Sequence, residues 1–264
     1  MRSPRAAVFF ILALSGGGAF AVPRVVVDPG HGGSQEGARA PDGFLEKRLC
    51  LDVAKRVKLE LERTLGASVT LTRATDAAVS LPERVAVTQA ARPDVFVSIH
   101  ANSMPTRALR EGTQGIQTFF LSASASDAEA RRTAARENGE SMGNATPAAQ
   151  DTLGFILSDL VRSQTHAESS QLAYAVHGEV ISHTRAKDRG VQQAPFYVLT
   201  GVEAPAILVE IGFISHPAEG QRLRRVDYQQ KLARAVARGV ARFLKLRDAK
   251  DRSQNARTAS RAVP

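Results

Sequence analysis

The sequence has a single cysteine, no tryptophan and few aromatic residues of any kind. Because Cys50 has no possible partner, no disulfide can form within the chain, and the fold depends on its own core. Cys50 lies in a stretch with helical periodicity, which favours a buried thiol over a reactive one. With few aromatic rings for base stacking, we expect no nucleic-acid partner. A hydrophobic content of 43% over 264 residues is enough to build a core.

Long apolar runs are also missing, apart from a short one near the start of the chain. Residues 6–14 are apolar, Arg2 and Arg5 precede them, and the small residues of "AFA" at 19–21 follow. This order is typical of a cleaved secretory signal peptide, which we place at residues 1–21. The run is short for a bilayer, so we expect an exported protein without an integral membrane anchor. An uncleaved N-terminal anchor is the alternative.

Acidic residues are outnumbered, and the formal net charge is +9. Much of the excess lies near the end, where residues 245–264 contain six basic residues and two acidic ones. The composition predicts a basic, disordered tail over residues 247–264. Binding to an anionic polymer or a membrane surface is the alternative interpretation of this charge.

Apolar strands alternate with amphipathic helices between residues 22 and 246. We predict strands over 22–29, 68–73, 94–102, 115–121, 195–200 and 205–215, and helices over 45–65, 81–92, about 172–183 and 228–246. Near-continuous apolar strands separated by helices are typical of parallel sheets buried on both sides. The sequence therefore predicts an α/β fold, with a mostly parallel twisted sheet and helices on both faces.

Residues 122–171 interrupt this alternation with a polar stretch rich in Ala, Ser, Glu and Arg. Residues 126–143 are strongly helix-forming, with Ser126 or Asp127 as the N-cap, and residues 151–173 predict a more apolar second helix. An insertion of this length in a compact domain is more often a cap or a regulatory element than a linker. We expect a helical insertion over the functional site.

Three predicted strands end in a side chain that can bind a metal or move a proton. These residues are His31, His100 and Glu210, and Glu46 adds a second carboxylate at the start of the first helix. Parallel strands bring their carboxyl ends to one edge of the sheet, where ligands bind. Two histidines and one carboxylate are typical of catalytic zinc, and a further glutamate can transfer protons. Each residue alone is equally compatible with a structural role, as Glu46 is with favourable charge at a helix N-terminus.

Other polar residues near these strands are less specific. Asp28 either supports a ligating histidine or caps the turn that begins at Pro29, and Asn102 and Arg73 are similarly ambiguous. The remaining histidines do not follow the pattern of a strand leading into glycines, so we expect surface or structural roles for His166, His177, His183 and His216.

Four segments together, "VVVDPGHGG", "FLEKRL", "VFVSIHAN" and "ILVEIGFISH", resemble the zinc-dependent N-acetylmuramoyl-L-alanine amidases of the amidase-3 family. The resemblance covers residues 22–246, which we take as the catalytic domain. It implies that His31, Glu46 and His100 bind one Zn²⁺ per chain and that Glu210 is the catalytic acid/base. It also implies the substrate, the peptidoglycan amide between N-acetylmuramic acid and L-alanine.

Periplasmic members of this family that separate daughter cells carry an insertion at about this place. The resemblance implies that its helix covers the site until a protein activator docks on the insertion and displaces it. Glu137 and Glu140 are the candidates for a carboxylate that occludes the metal. A solvated helix that supports substrate binding is the alternative. We expect a periplasmic monomer.

Two other functions keep the same fold. One is a catalytically silent wall-binding or scaffold protein, against which the presence of all four acids and histidines argues. The other is a zinc peptidase that cuts within the stem peptide. A metal assay with analysis of the released products separates the three. His216 stands where the family more often has asparagine, but it is not a proposed ligand.

Overall fold

The computed structural model describes residues 22–142 and 164–261 of the chain. Its centre is a six-stranded sheet in the order β2-β1-β3-β6-β4-β5. All neighbouring strands are parallel except β4 and β6, which are antiparallel. The predicted α/β class with a mostly parallel sheet is confirmed. The strands are β1 (Arg24–Pro29), β2 (Ser68–Leu71), β3 (Val95–Asn102), β4 (Ile116–Leu121), β5 (Asp188–Ala194) and β6 (Ala206–Phe213).

Helices connect and cover these strands. The first helix ends at Gly66, which adopts a left-handed conformation (φ 61°) that glycine tolerates, and the second begins with a capping box between Ser80 and Glu83. The helices are α1 (Glu46–Leu65), α2 (Leu81–Ala91), α3 (Arg107–Gly112), α4 (Ala128–Met142), α5 (Gln164–Thr184), α6 (Pro217–Arg224) and α7 (Val226–Arg261), with a 3₁₀ turn at Tyr197–Leu199.

The sheet is covered on both faces, as predicted, but unequally. One face packs against α1, α5 and α7 through fully buried aliphatic side chains, among them Leu49, Val53, Val57, Leu172, Val176, Leu232, Val236 and Val240. The other face packs against α2, α4 and the 3₁₀ turn in a smaller cluster, to which the described side chains of α4 contribute only Ala130 and Ala134. Burial of apolar area therefore contributes less to the docking of α4 than to the docking of the helices on the opposite face.

One predicted strand is wrong. Residues 195–200 contain the 3₁₀ turn, and the strand at this place is Asp188–Ala194. This strand forms the edge of the sheet, is half-buried along most of its length and has the polar sequence "DRGVQQA". It has no apolar run to identify it, because an edge strand needs no fully buried side chains.

The end of the chain also differs from prediction. Helix α7 continues to Arg261, so residues 247–261 are helical where we predicted a disordered tail. The segment contains neither glycine nor proline and extends a helix whose earlier turns are anchored in the core. Extending a formed helix avoids the cost of nucleation, and charged residues do not prevent it.

Several predictions lie outside the described residues. The signal peptide at 1–21 is one, and most of the second insertion helix, at 151–163, is another; α5 begins at Gln164. Within the described part of the chain, no helix is both long enough and apolar enough for a membrane span.

Candidate metal centre

The loop after β1 carries His31 in a conformation that few residues adopt. His31 has φ 57°, and Gly32 and Gly33 also have positive φ. The neighbouring glycines leave room for other side chains: a Cβ atom on Gly30 would lie 2.4 Å from Cε1 of His100, and one on Gly37 would lie 2.7 Å from Oε2 of Glu46. The glycines are needed because side chains of the cluster lie against the backbone here.

Two buried arginines hold this loop by its carbonyl groups. Arg73 donates from Nη2 to the carbonyl of Gly30 (2.6 Å) and from Nε to that of Pro29 (3.0 Å). Arg84 donates from Nη2 to the carbonyl of His31 (2.6 Å) and from Nη1 to that of Pro29 (2.7 Å). These bonds fix the backbone from which the His31 ring projects.

Asp28 anchors the second of these arginines. Its carboxylate accepts hydrogen bonds from Arg84 Nη1 (2.7 Å), Ser98 Oγ (2.7 Å) and Thr72 Oγ1 (2.5 Å). Burial alone would raise its pKa, but the charge of Arg84 and these hydrogen bonds lower the pKa below its ordinary value. Asp28 is thus linked to His31 through Arg84, which positions the loop backbone.

His31, Glu46, His100 and Glu137 converge in the interior, and one ligand atom from each lies within 4.8 Å of the others. Nε2 of His31 is 3.0 Å from Oε1 of Glu46 and 3.2 Å from Oε2 of Glu137. Nδ1 of His100 is 3.3 Å from the same Glu46 oxygen and 2.8 Å from the same Glu137 oxygen. The structure brings together the three predicted ligands and one of the two carboxylates predicted to occlude them.

Glu46 is held from both sides by the backbone. Its Oε2 accepts a hydrogen bond from the amide of Ala38 (2.7 Å), and its Oε1 accepts one from the amide of Ala101 (2.9 Å). The first amide lies in the loop before α1 and the second in β3. The carboxylate is therefore oriented towards the two histidines by elements other than its own helix.

The electrostatics of the four groups suit a cation. Despite burial, the charge of His31 lowers the pKa of Glu46, and the charges of His100 and Arg136 lower that of Glu137. Burial opposes the charge on His100, yet Glu137 raises its pKa to about 9. Both carboxylates are thus ionised although they lie close together in the interior. A bound cation would compensate their negative charges.

The donor set also fits zinc in its chemistry. Nδ1 of His100 and Oε2 of Glu137 are buried and close, but in the described residues neither makes a hydrogen bond of acceptable geometry. Buried polar atoms this close to one another, without a hydrogen bond between them, are available to bind a cation. Two imidazole nitrogens and two carboxylate oxygens make a four-ligand zinc set.

Glu210 lies beside this cluster rather than in it. On β6 it pairs directly with His100 on β3, so both side chains leave the same face of the sheet. The residue is fully buried, and in the described part of the chain neither carboxylate oxygen accepts a hydrogen bond. Burial, and then the negative charge of Glu137, raise the pKa of Glu210 to about 8. A carboxyl group with a pKa near neutrality can both accept and donate protons.

Helix α4 delivers Glu137 from the predicted insertion. Asp127 caps its start, accepting a hydrogen bond from the amide of Ala130 (2.8 Å). The helix buries one narrow stripe, which consists of Ala130, Thr133, Ala134 and Glu137. The spacing of these residues places them on one face, with the carboxylate one turn beyond the alanines.

The residues on either side of Glu137 bond to the body of the protein. Arg136 donates to the side-chain oxygen of Asn102 (3.1 Å), lies 2.8 Å from Glu137 and lies 3.7 Å from Glu210. Asn138 donates to the carbonyl of Pro195 (2.8 Å) and accepts from the amide of Tyr197 (2.8 Å). Polar contacts therefore dock α4 more than apolar packing does. Glu140 lies further along α4, and its side chain is outside the described residues.

The other histidines make structural contacts. His177 bridges Thr118 and Asp188, His166 contacts the carbonyl of Leu121, and His216 caps α6 by accepting a hydrogen bond from the amide of Glu219. Sequence reasoning left Arg73 open and missed Arg84, Arg136 and Asn138. Arginines in helices usually face solvent, and nothing in "LPERV" distinguishes a buried one.

This mostly parallel sheet, with a buried cluster of two histidines and two glutamates at the carboxyl edge, defines an α/β protein with a metal-binding site. Residues 25–242 match the model of the amidase-3 family of N-acetylmuramoyl-L-alanine amidases, so the chain belongs to that family. The resemblance seen in the sequence is confirmed.

Individual relatives agree with this assignment. The chain is 33% identical to the N-acetylmuramoyl-L-alanine amidase AmiC of Neisseria meningitidis serogroup B over 84% of its own length and 53% of the relative. It is 34% identical to AmiA of Escherichia coli K12 over 83% of its own length and 75% of the relative. The chain thus spans about half the length of the first curated relatives it matches.

The fold also matches solved structures. It superposes on the crystal structure of an N-acetylmuramoyl-L-alanine amidase from Clostridium difficile 630 with a TM-score of 0.64 and 28% identity. That match covers 85% of this chain and 97% of the other.

Proposed function

We propose that this protein is a zinc-dependent peptidoglycan hydrolase that cleaves the amide bond between N-acetylmuramic acid and L-alanine. The convergence of His31, Glu46 and His100 beside the buried Glu210 carries this proposal. Membership of the amidase-3 family supports the substrate.

In this proposal, His31, Glu46 and His100 hold one Zn²⁺ per chain. When bound, the zinc supplies a Lewis acid for the scissile carbonyl and lowers the pKa of water towards neutrality. Glu210 takes a proton from the attacking water and delivers it to the amine of the leaving L-alanine. Its burial suits this role, because loss of hydration raises the pKa of the carboxyl group towards the range in which it exchanges protons near neutral pH.

Digestion of purified sacculi with and without a chelator tests the activity. We expect chelator-sensitive release of stem peptides that begin with L-alanine, identified by mass. The Glu210→Ala variant is expected to lose turnover while retaining zinc. Equal loss of zinc and activity would make Glu210 a ligand. If the protein binds sacculi but releases no product, the wall-binding scaffold is favoured. Products cut within the stem peptide would favour the peptidase.

The same proposal includes a role for α4 as an autoinhibitory helix. Glu137 lies close to both histidines, and as a further ligand it would occupy the coordination position that an incoming carbonyl or water needs. The small apolar area of Ala130 and Ala134 suits a helix that a protein activator can displace. We place the enzyme in the periplasm as a monomer, with the activator docking on the insertion and a function in daughter-cell separation.

Single substitutions in α4 test this role. Glu137→Ala is expected to raise basal hydrolysis of sacculi, whereas Glu140→Ala, one turn away, is expected to leave it unchanged. The opposite result would identify Glu140 as the occluding carboxylate. Deletion of residues 126–143 is also expected to raise basal hydrolysis. If no variant is more active than the unaltered chain, α4 is not a brake.

A further inference from the structure

A polar row continues from the metal centre across the sheet. Glu210 pairs with His100 on one side and with Gln117 of β4 on the other, so the three side chains leave the same face. Because β4 runs antiparallel to β6, Gln117 lies near the start of its strand yet at the same edge as Glu210. Gln117 is fully buried and accepts a hydrogen bond from Nδ2 of Asn102 (3.0 Å).

This row ends in a carboxylate supplied by α4. Oε1 of Glu129 accepts hydrogen bonds from Nε2 of Gln117 (3.3 Å) and from Nη2 of Arg189 (2.6 Å), and its Oε2 lies 2.7 Å from the same Arg189 atom. Gln117 and Arg189 belong to β4 and β5, and the carboxylate belongs to the insertion. The body of the protein therefore provides the donors and α4 provides the anion.

The donors are held in place without Glu129. The guanidinium of Arg189 lies over the ring of the buried Phe213, 5.3 Å from its centroid, and the bond from Asn102 orients Gln117. Nε of Arg189 is buried and has no acceptor among the described residues. A second donor beside Nη2 suits an anion bound by two parallel hydrogen bonds. The site is thus preorganised and only partly used by Glu129.

The side chain of Arg189 is 19% exposed and that of Glu129 is 24% exposed, so a ligand can reach this ion pair from solvent. Asn102 and Glu129 line a groove of about 590 Å³ between α4 and the segment after β3, a size typical of ligand pockets. Adjacent strands lie about 4.8 Å apart, so Gln117 is one strand spacing from the catalytic carboxyl. Two extended peptide residues span about 7 Å, which exceeds the spacing between the strands that carry Glu210 and Gln117.

We propose that Gln117 and Arg189 form a carboxylate-binding subsite for the stem peptide, which Glu129 fills while α4 is docked. The inference rests on the proposed amidase function and on displacement of α4. The ligand is a free carboxylate on the residue that follows L-alanine in the stem peptide. Helix α4 therefore blocks the enzyme at two points, with Glu137 at the metal centre and Glu129 in the peptide subsite.

The test compares a carboxylate with its neutral amide. In the Glu129→Ala/Glu137→Ala variant, which frees both positions, kcat and KM are measured for muramoyl-L-alanyl-D-isoglutamate and for the D-isoglutamine analogue. We expect about a 10-fold preference for the carboxylate in kcat/KM, mainly through KM, since the lost contact is a charge-assisted hydrogen bond. Adding Arg189→Ala is expected to remove the preference, because KM should rise for the carboxylate substrate and stay the same for the amide. Lys187→Ala, which removes an exposed positive charge two residues away, is the matched control.

Calorimetric binding of the dipeptide L-alanyl-D-isoglutamate to the same variants gives a readout that does not need turnover. If no variant cleaves the muramoyl substrates but the dipeptide binds only when Arg189 is present, the proposed activity fails and the subsite stands. Equal kinetics and binding for acid and amide, or a preference that survives Arg189→Ala, would overturn the subsite. Thermal unfolding verifies that each variant is folded, and the uncharged Arg189→Gln replaces Arg189→Ala if the latter is not.

Discussion

Gly30 and Gly37 show how single residues determine the geometry of the metal centre. Neither residue carries a reactive group. Each lies where a side chain of the metal-centre cluster occupies the space that a Cβ atom would take. The buried charges nearby follow a similar logic, because Asp28, Arg84 and Arg73 bind the loop backbone rather than the metal cluster. The candidate ligands are thus oriented by residues that lie outside the cluster of histidines and glutamates.

Gly30→Ala should weaken zinc binding without unfolding the protein. The new methyl group would lie 2.4 Å from the His100 ring, which must move away from the other ligands. We expect at least about a 10-fold loss of zinc affinity, the scale seen when residues that orient ligands are altered. Titration with zinc measures it. Gly112→Ala is the control, because no atom lies within 4 Å of that Cβ position; equal losses in both variants would contradict the steric argument.

Asp28→Asn should destabilise the protein in a pH-dependent way. The substitution leaves the buried Arg84 charge uncompensated, which costs about 3 kcal/mol in the free energy of unfolding at pH 7. Because the folded-state pKa of Asp28 lies below its ordinary 3.8, its contribution is complete above pH 3.8 and is lost as pH falls through the lower value. The difference between the two proteins should therefore shrink in acid.

Denaturant unfolding at neutral and acidic pH measures this difference. Asp227→Asn is the control, because Asp227 pairs with Arg225 on the surface and both side chains are about two-thirds exposed. That variant should unfold like the unaltered chain at neutral pH. A constant destabilisation by Asp28→Asn down to the most acidic pH would exclude the proposed linkage.

At the scale of elements, α4 differs from every helix on the opposite face. Its described side chains contribute two alanines to the core cluster on their face of the sheet, while its polar side chains bond to β3, the 3₁₀ turn and β5. Hydrogen bonds to the body can be exchanged for bonds to water when the helix moves away, whereas a large apolar face would be costly to expose. This composition suits an element that opens while the rest stays folded.

Asn138→Ala should make α4 open more often. The change removes two hydrogen bonds to the body, each contributing about 1 kcal/mol, so amide exchange in residues 128–142 should be about 30-fold faster. Hydrogen exchange measured by mass spectrometry reports this rate. Arg131→Ala, at an exposed position of the same helix, should have no such effect. Unchanged exchange in Asn138→Ala would show that Asn138 does not hold the helix.

Over the whole molecule, the metal centre connects segments that are distant in the chain. Its four residues come from the loop after β1, from α1, from β3 and from the insertion, so a cation bound there stabilises their common arrangement. The two buried carboxylates repel each other unless the histidines or a cation compensate them. Binding and folding are therefore coupled.

Zinc should stabilise the entire fold. With free zinc at about 1,000 times its dissociation constant, the free energy of unfolding should rise by about 4 kcal/mol relative to a chelator-treated sample. Denaturant titrations in both conditions measure the change. His100→Ala should abolish it, and His183→Ala, whose ring bonds to a carbonyl of its own helix, should retain it. A zinc effect of equal size in His100→Ala would mean that the ion binds elsewhere.

Local patterns in the sequence predicted most of the fold and three of the four residues that meet at the candidate metal centre. Apolar runs such as "VVVDPGH" and "VFVSIH" determine buried strands, and the end of each run shows which side chain reaches the edge of a parallel sheet. The pattern did not determine the direction of β4, the polar edge strand β5 or the length of α7. Those depend on what each segment packs against, which no short stretch of sequence contains.

The contacts around Glu137 show the difference between what the sequence predicts and what only the tertiary structure determines. The sequence predicted a helix over residues 126–143 with two candidate carboxylates, because helix propensity and capping are local properties. That Glu137 meets His31 and His100, and that Arg84 meets Asp28 and the His31 carbonyl, follows from contacts between segments more than 30 residues apart. Tertiary structure alone decides such contacts, because a buried charge is stable only where the packing of distant segments brings it a partner.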